Sequence, residues 1–362
     1  MLALSGHGYG HLAQCAPVVN VLQQWLPELV LTVCGSLPYE VVAARIDAEF
    51  DYRLAELDPV LCMLNAWEVD VDASRQVYRT FHHDWEQGFQ HDIDLLEQVS
   101  PDLVLADIPY RILSAAVQCG IPAVGLCSLN WAAIYAAYCE NSAEDRDILE
   151  QILDSYRAAS LFLAPTPAIP MPELENVVTT GPIARQGSRL QGILQKRCTV
   201  DRKVKTVLVA LGGISTRLPL ENWPAMDGVV WIFTDAVQYH REDMVNFDAL
   251  EMPFIDVLAS ADVVLTKPGY GTYAEAVCNG VPVLTLERRD WPETDCLNSW
   301  VRQHGHLEVM TREQFLGGHF APLVNSLLAT GVGTGIEPDG IRQAAALIKS
   351  RLLSRSTGRG VP

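Results

Sequence analysis

Short aliphatic and β-branched runs alternate with helix-length segments along almost the whole chain, in two series. The first holds "LALS" (2–5), "LVLTVCG" (29–35), "DLVLAD" (102–107), "PAVGLCS" (122–128) and "LFLAP" (161–165). The second restarts near 204, with "TVLVALGG" (206–213), "VVWIFTD" (229–235), "DVVLTKPG" (262–269) and "VPVLTLE" (281–287). Strands buried on both faces read as continuous apolar runs, and parallel neighbours need a long crossover, usually a helix. The pattern therefore calls for an α/β chain with two parallel sheets built from βαβ units. A Gly-, Pro- and polar-rich stretch, "VVTTGPIARQGSRLQG", separates the series, and the hinge is expected near Gly181 to Gly187. The expected domains are 1–182 and 183–362, with a last helix at about 340–354 packing back on the first domain.

Composition narrows what such a chain can do. Of 362 residues, 49% are hydrophobic and 19% charged, enough for two sizeable cores. A net charge of −18 argues against non-specific partners that are themselves acidic, nucleic acid and anionic membrane alike. An anionic ligand then needs a local site of backbone N–H groups and a few cations. The nine cysteines are scattered, without a CxxC pair, which points to reduced, mostly buried thiols and a cytoplasmic location. The apolar region 101–139 is broken by Asp107, Arg111, Gln118, Gly120 and Pro122, so no transmembrane segment is expected. No signal-peptide pattern opens the chain. The first apolar run is very short, which leaves open that native residues precede Met1.

In doubly wound sheets, ligands bind beyond the carboxyl ends of the strands, so residues following strands carry the information. In the second series, a strand runs into Lys267-Pro268-Gly269-Tyr270-Gly271, and a helix is expected from near Thr272. A glycine-rich turn opening a helix offers free N–H groups and a positive dipole end to an anion. Lys267 adds a cation, and Gly212-Gly213 after the preceding strand forms a second candidate phosphate loop. Thr272-x-x-Glu275 has two readings, a capping box or a carboxylate for the vicinal hydroxyls of a ribose. No GxxxxGK[ST] is present, and "GHGYGH" is a poor match to GxGxxG.

These residues resemble nucleotide-sugar glycosyltransferases of the GT-B fold, especially the MurG-type and plant UDP-glycosyltransferase groups. "MPFIDVLASADVVLTKPGYGTYAEAVCNGVPVLTL" carries the resemblance. It implies two Rossmann-like doubly wound domains facing across a cleft, and a donor that is a UDP-sugar. The diphosphate falls to Gly212, Gly213, Lys267, Gly269, Tyr270, Gly271 and Thr272, the ribose to Glu275, and the base to the backbone at Phe254 and Ile255. The donor sugar falls to Glu293 or Asp295 in "ERRDWPETD", where the register is ambiguous. "LADIPYRILSAAVQCGIPAVGLCSLNWAAIY" looks closer still to the glycosyltransferase-like N-terminal half of plant-type L-arabinokinases, whose kinase phosphate loop has no counterpart here.

"SGHGYGH" (5–11), after the first strand, resembles the first glycine-rich loop of the same enzymes. By that resemblance His11 is the general base and Asp107 the partner that fixes its tautomer. The bland reading leaves His11 hydrogen-bonded locally at a helix start. His7 and Gly8 are candidate acceptor contacts. Trp131 is another, although core packing is the default for it and Tyr135. A metal held by His7 and His11 is not expected, because glycine-rich backbone holds two ligands poorly and no third is evident. Asp70-Val71-Asp72, His82, His83 and His91 are read as surface or part-buried, and Arg288-Arg289 as solvated charges. No cofactor is implied, and the acceptor is unidentified. The expected activity is inverting, metal-independent glycosyl transfer. A nucleotide-sugar 2-epimerase and a non-catalytic sugar- or nucleotide-binding module remain open beside it.

Overall fold

A computed structural model of the chain describes residues 1–65, 67–198, 204–212, 218–234 and 241–358. The chain divides into two compact units. One comprises 1–64, 68–183 and the segment from Asp339 onward, the other 65–67 and 184–338.

The first unit is built on a seven-stranded parallel sheet. Its strands are β1 (Leu2–Leu4), β2 (Thr32–Gly35) and β3 (Asp51–Leu54), then, after a two-stranded ladder of β4 (Met63–Asn65) and β5 (Glu68–Val69), β6 (Val104–Asp107), β7 (Ala123–Leu126), β8 (Leu161–Pro165) and β9 (Val177–Thr180). Their order across the sheet is β3-β2-β1-β6-β7-β8-β9. Connections leave β1 in one direction and β6 in the other, so the switch point lies between these two strands. Register pairs Leu4 with Asp107 there. Strands β1, β2, β6, β7 and β8 are buried throughout. The aromatic, His-rich stretch before β6 folds as two helices, Val71–His83 and Trp85–Val99. Asp70 caps the first, its side chain accepting from the Ala73 N–H at 3.0 Å, so the Asp70-Val71-Asp72 triplet is a helix start. Helix Gly340–Gly358 packs against helix Gly10–Trp25 of the same unit.

The second unit repeats the plan with six parallel strands. These are β10 (Lys205–Ala210), β11 (Val229–Phe233), β12 (Met244–Asn246), β13 (Val263–Thr266), β14 (Val283–Leu286) and β15 (Leu307–Met310), in the order β12-β11-β10-β13-β14-β15. Its switch point lies between β10 and β13, where Ala210 pairs with Thr266. The Thr266 hydroxyl donates to the Ala210 carbonyl at 2.6 Å and ties the two strand ends together. One face packs on a cluster that includes Trp223, Trp231, Phe233, Phe315 and Phe320, all buried.

Candidate functional site

In the first unit, the loop after β1 turns through Gly8, whose φ of 76° only glycine adopts without strain. The Ser5 N–H bonds the Asp107 carbonyl at 2.8 Å, so the loop leaves β1 already tied to the end of β6. Helix Gly10–Trp25 follows, which puts His11 in its first turn. Its Nδ1 lies 2.8 Å from Oδ1 of Asp107, with the histidine 5% exposed and the aspartate 0%. Burial pushes the Asp107 carboxyl up, while the hydrogen bond from His11 opposes this. A carboxylate only accepts, so Nδ1 carries the proton and Nε2 keeps the lone pair. Tyr156 donates to the Ile108 carbonyl at 2.8 Å and holds the segment that follows Asp107.

Residues that the sequence reading did not single out complete this cluster. Cys127 follows β7, with its sulfur 3.8 Å from His11 Nδ1. Gln14 donates to that sulfur at 3.6 Å and accepts from the Ser128 N–H at 2.9 Å. Asp58 accepts from the Trp131 indole N–H at 2.7 Å, and burial pushes its carboxyl up to about 6, against hydrogen bonds from Ser5 and Trp131. Cys127 had a usable signal, since it too directly follows a strand of the first series. Asp58 had none, because it lies in a long irregular loop. Trp131 is 0% exposed. Its ring centroid lies 5.4 Å from that of His7 and 5.6 Å from that of His11, making it a wall behind both imidazoles.

His11, Asp107 and Cys127 place potential ligand atoms within 4.8 Å of one another. Two ligands at about 2.0–2.1 Å from a tetrahedral ion stand roughly 3.3 Å apart. The 2.8 Å contact between Nδ1 and the carboxylate is shorter than that, and it is a hydrogen-bond distance.

In the second unit, the glycine-rich turn after β13 sits at the matching switch point. Gly212 follows β10 with φ 90°, and a Cβ on it would stand 3.5 Å from Lys267 Cε, so the lysine stem crosses that backbone. Gly213 lies outside the described residues. Helix Tyr270–Cys278 starts at Tyr270, two residues before the expected position, with Gly269 as N-cap and no capping side chain among the described residues. Gly271 and Thr272 are therefore in its first turn. This corrects the capping-box reading, because Glu275 lies a turn too deep to cap. It is buried and accepts from Arg185 Nε at 3.1 Å. Phe254 and Ile255 open helix Phe254–Ser260. A Cβ on Gly187 would come within 2.2 Å of the Ile255 carbonyl oxygen, so the chain crosses that helix start on bare backbone.

The loop after β14 departs from expectation. Arg288 is 5% exposed, not solvated, and its guanidinium lies 4.1 Å from the centre of the Trp291 ring. Arg289 is the exposed member of the pair, bonded to Glu287. Adjacent side chains point in different directions, and only packing decides which turns inward. Burial pulls the Lys267 ammonium down to about 8, Arg288 adds to this, and Glu293 opposes it. Glu293 is buried and accepts from the Trp291 indole N–H at 3.0 Å. Asp295 is exposed in the first turn of helix Thr294–His304.

Two doubly wound parallel sheets in one chain are the elements of the GT-B fold, and solved structures similar to this chain share it. The calicheamicin glycosyltransferase CalG4 is similar over 100% of this chain and 99% of its own, with a TM-score of 0.65 and 16% identity. A UDP-glucosyltransferase from Polygonum tinctorium, capable of glucosylating indoxyl, matches 98% of this chain and 93% of its own, with a TM-score of 0.60 and 13% identity. L-arabinokinase from Arabidopsis thaliana is 24% identical over 323 residues, 88% of this chain. The chain spans 31% of the length of that relative. No family model matches. No helix among the described residues is long and apolar enough to cross a membrane.

Proposed function

We propose that this protein is a glycosyltransferase that moves a sugar from a UDP-sugar to an acceptor hydroxyl with inversion at the anomeric carbon. The observation that carries the reading is the buried 2.8 Å contact between His11 and Asp107 at the switch point of the first sheet. A general base gains from a partner that fixes its tautomer and stabilises the cation it becomes. In the reaction, the acceptor hydroxyl gives its proton to Nε2 of His11 as its oxygen bonds the anomeric carbon. The bond from that carbon to the diphosphate breaks, and UDP leaves. His7 and Gly8 contact the acceptor, whereas Trp131, which is fully buried, packs in the core behind both imidazoles.

The second unit supplies the donor site. N–H groups at the start of helix Tyr270–Cys278, the loops at Gly212 and Gly269, and Lys267 meet the diphosphate charge without a metal ion. Glu275 takes the ribose hydroxyls, backbone at Phe254 and Ile255 takes the base, and Glu293 with Asp295 takes the sugar. The match to a UDP-glucosyltransferase supports the donor assignment. All nine cysteines are free, which suits a cytoplasmic enzyme.

A UDP-release assay over a panel of acceptors, paired with melting shifts on adding UDP, tests the proposal. His11→Ala abolishes release and keeps the UDP shift, while Glu275→Ala reduces the shift. Wild-type turnover by His11→Ala refutes the base assignment. UDP binding without release for any acceptor favours a binding module, and a changed donor sugar without acceptor favours an epimerase.

A further inference from the structure

Arg288 has no part in the donor site as set out above, yet its setting is that of a ligand-binding group. It lies two residues beyond the end of β14, as Lys267 lies just beyond the neighbouring β13, at the end where Thr266 pairs with Thr285. Its backbone is pinned by the Thr294 hydroxyl, which donates to the Arg288 carbonyl at 2.6 Å. Its guanidinium rests on the Trp291 ring, and that indole is in turn held by Glu293. A guanidinium stacked by its face keeps its N–H donors in the plane, aimed at acceptors along its edge. The guanidinium is buried, and its charge adds to burial in disfavouring that of the Lys267 ammonium, which Glu293 only partly offsets. Two cations brought together out of water repel each other, and an anion between them relieves both costs.

We infer that Arg288 is a second cationic binding residue of the donor site, gripping an anionic group of the ligand together with Lys267. The group is the diphosphate or a carboxylate on the transferred sugar. The inference rests on the donor reading above for the identity of the ligand, but not for the anion itself.

Calorimetric titration of the full chain with inorganic pyrophosphate, UDP, UDP-glucose and UDP-glucuronate tests it, on wild type, Arg288→Gln and Arg288→Lys. Loss of a charge-assisted contact weakens binding by about 10- to 100-fold. If Arg288 grips the diphosphate, Arg288→Gln weakens pyrophosphate and all three nucleotides to that extent, and Arg288→Lys less. If it grips a sugar carboxylate, only UDP-glucuronate weakens. Equal affinities for all four ligands across folded variants overturn the inference, as does wild type that binds none of them. Pyrophosphate binding that depends on Arg288, with no preference for UDP, keeps the anion site and sinks the donor reading. Should Arg288→Gln not fold, Arg288→Lys decides, because it keeps the charge and loses the planar fork: unchanged affinity for every ligand overturns the inference.

Discussion

Replacing Asp107 by Asn separates the charge of the buried dyad from its shape. The change keeps a hydrogen-bonding side chain of nearly the same size behind His11 and removes only the carboxylate. In the proposed transition state the imidazole is becoming a cation, with its Nδ1 2.8 Å from Asp107 Oδ1. With the charge centres about 4 Å apart and an effective dielectric constant of about 20, the attraction is roughly 4 kcal/mol. Each 1.36 kcal/mol is about tenfold in rate, so Asn slows transfer by about 10³-fold. An amide that donates to Nδ1 also selects the wrong tautomer, which deepens the loss toward about 10⁴-fold. Folding moves the other way. Asp107 is fully buried and burial raises its pKa, so a neutral residue there removes a desolvation cost. The expected result is a kcat lower by three to four decades (about 10³- to 10⁴-fold), an unchanged UDP melting shift, and an unfolding midpoint equal to or above wild type. Steady-state UDP release with matched thermal melts measures all three. A rate within about threefold of wild type, or a loss that tracks unfolding, refutes the argument that this carboxylate stabilises the protonated base.

Three other outcomes are expected. Lys267 is charged below about 8, so UDP affinity is flat at lower pH and falls by up to about tenfold per unit above it. Lys267→Met removes that slope in a titration from pH 7 to about pH 10. Burial holds His82 down to about 4, against 6.5 for an ordinary histidine, between Gln151 and the Tyr110 hydroxyl. Unfolded chains then bind a proton in this window that the native state does not. The stability this histidine contributes is full above 6.5 and lost as pH falls to about 4, by roughly 3 kcal/mol. Denaturant midpoints of His82→Gln across that range are correspondingly flatter than those of wild type. Gly88 lies where a Cβ would come within 2.0 Å of Arg111 Nη1, in a buried pair with Asp92 at 2.7 Å. Alanine gains about 1 kcal/mol of helix propensity but displaces a pair worth about 3–5 kcal/mol when broken, so Gly88→Ala lowers unfolding free energy by about 2–4 kcal/mol in urea titrations.

Local chemistry was enough to place the central strands, because a fully buried parallel strand needs a continuous apolar run wherever it sits, but β3, β9, β12 and β15 are only partly buried and offered no such run. It also located the glycine-rich turns at Gly8 and Gly212, both with positive φ. The start of helix Tyr270–Cys278 was legible to within two residues, but that error decided the reading of Glu275, since one turn separates a cap from a buried carboxylate. His11 and Asp107 were named through a resemblance, not through any pattern linking residues 96 positions apart. The sheet order β2-β1-β6 makes them neighbours, and no short-range periodicity encodes that order.

What the amino-acid sequence alone determined was therefore the class of layer, two parallel α/β units, and the strand ends at which glycine lets the backbone turn. Those follow from hydrophobic period and backbone freedom, which act over a few residues. Tertiary structure alone decided that Arg288 turns inward while Arg289 stays in water, and that Cys127, Gln14 and Asp58 gather around the histidine. Such choices depend on which distant strands lie side by side, and on what each side chain meets once water is excluded.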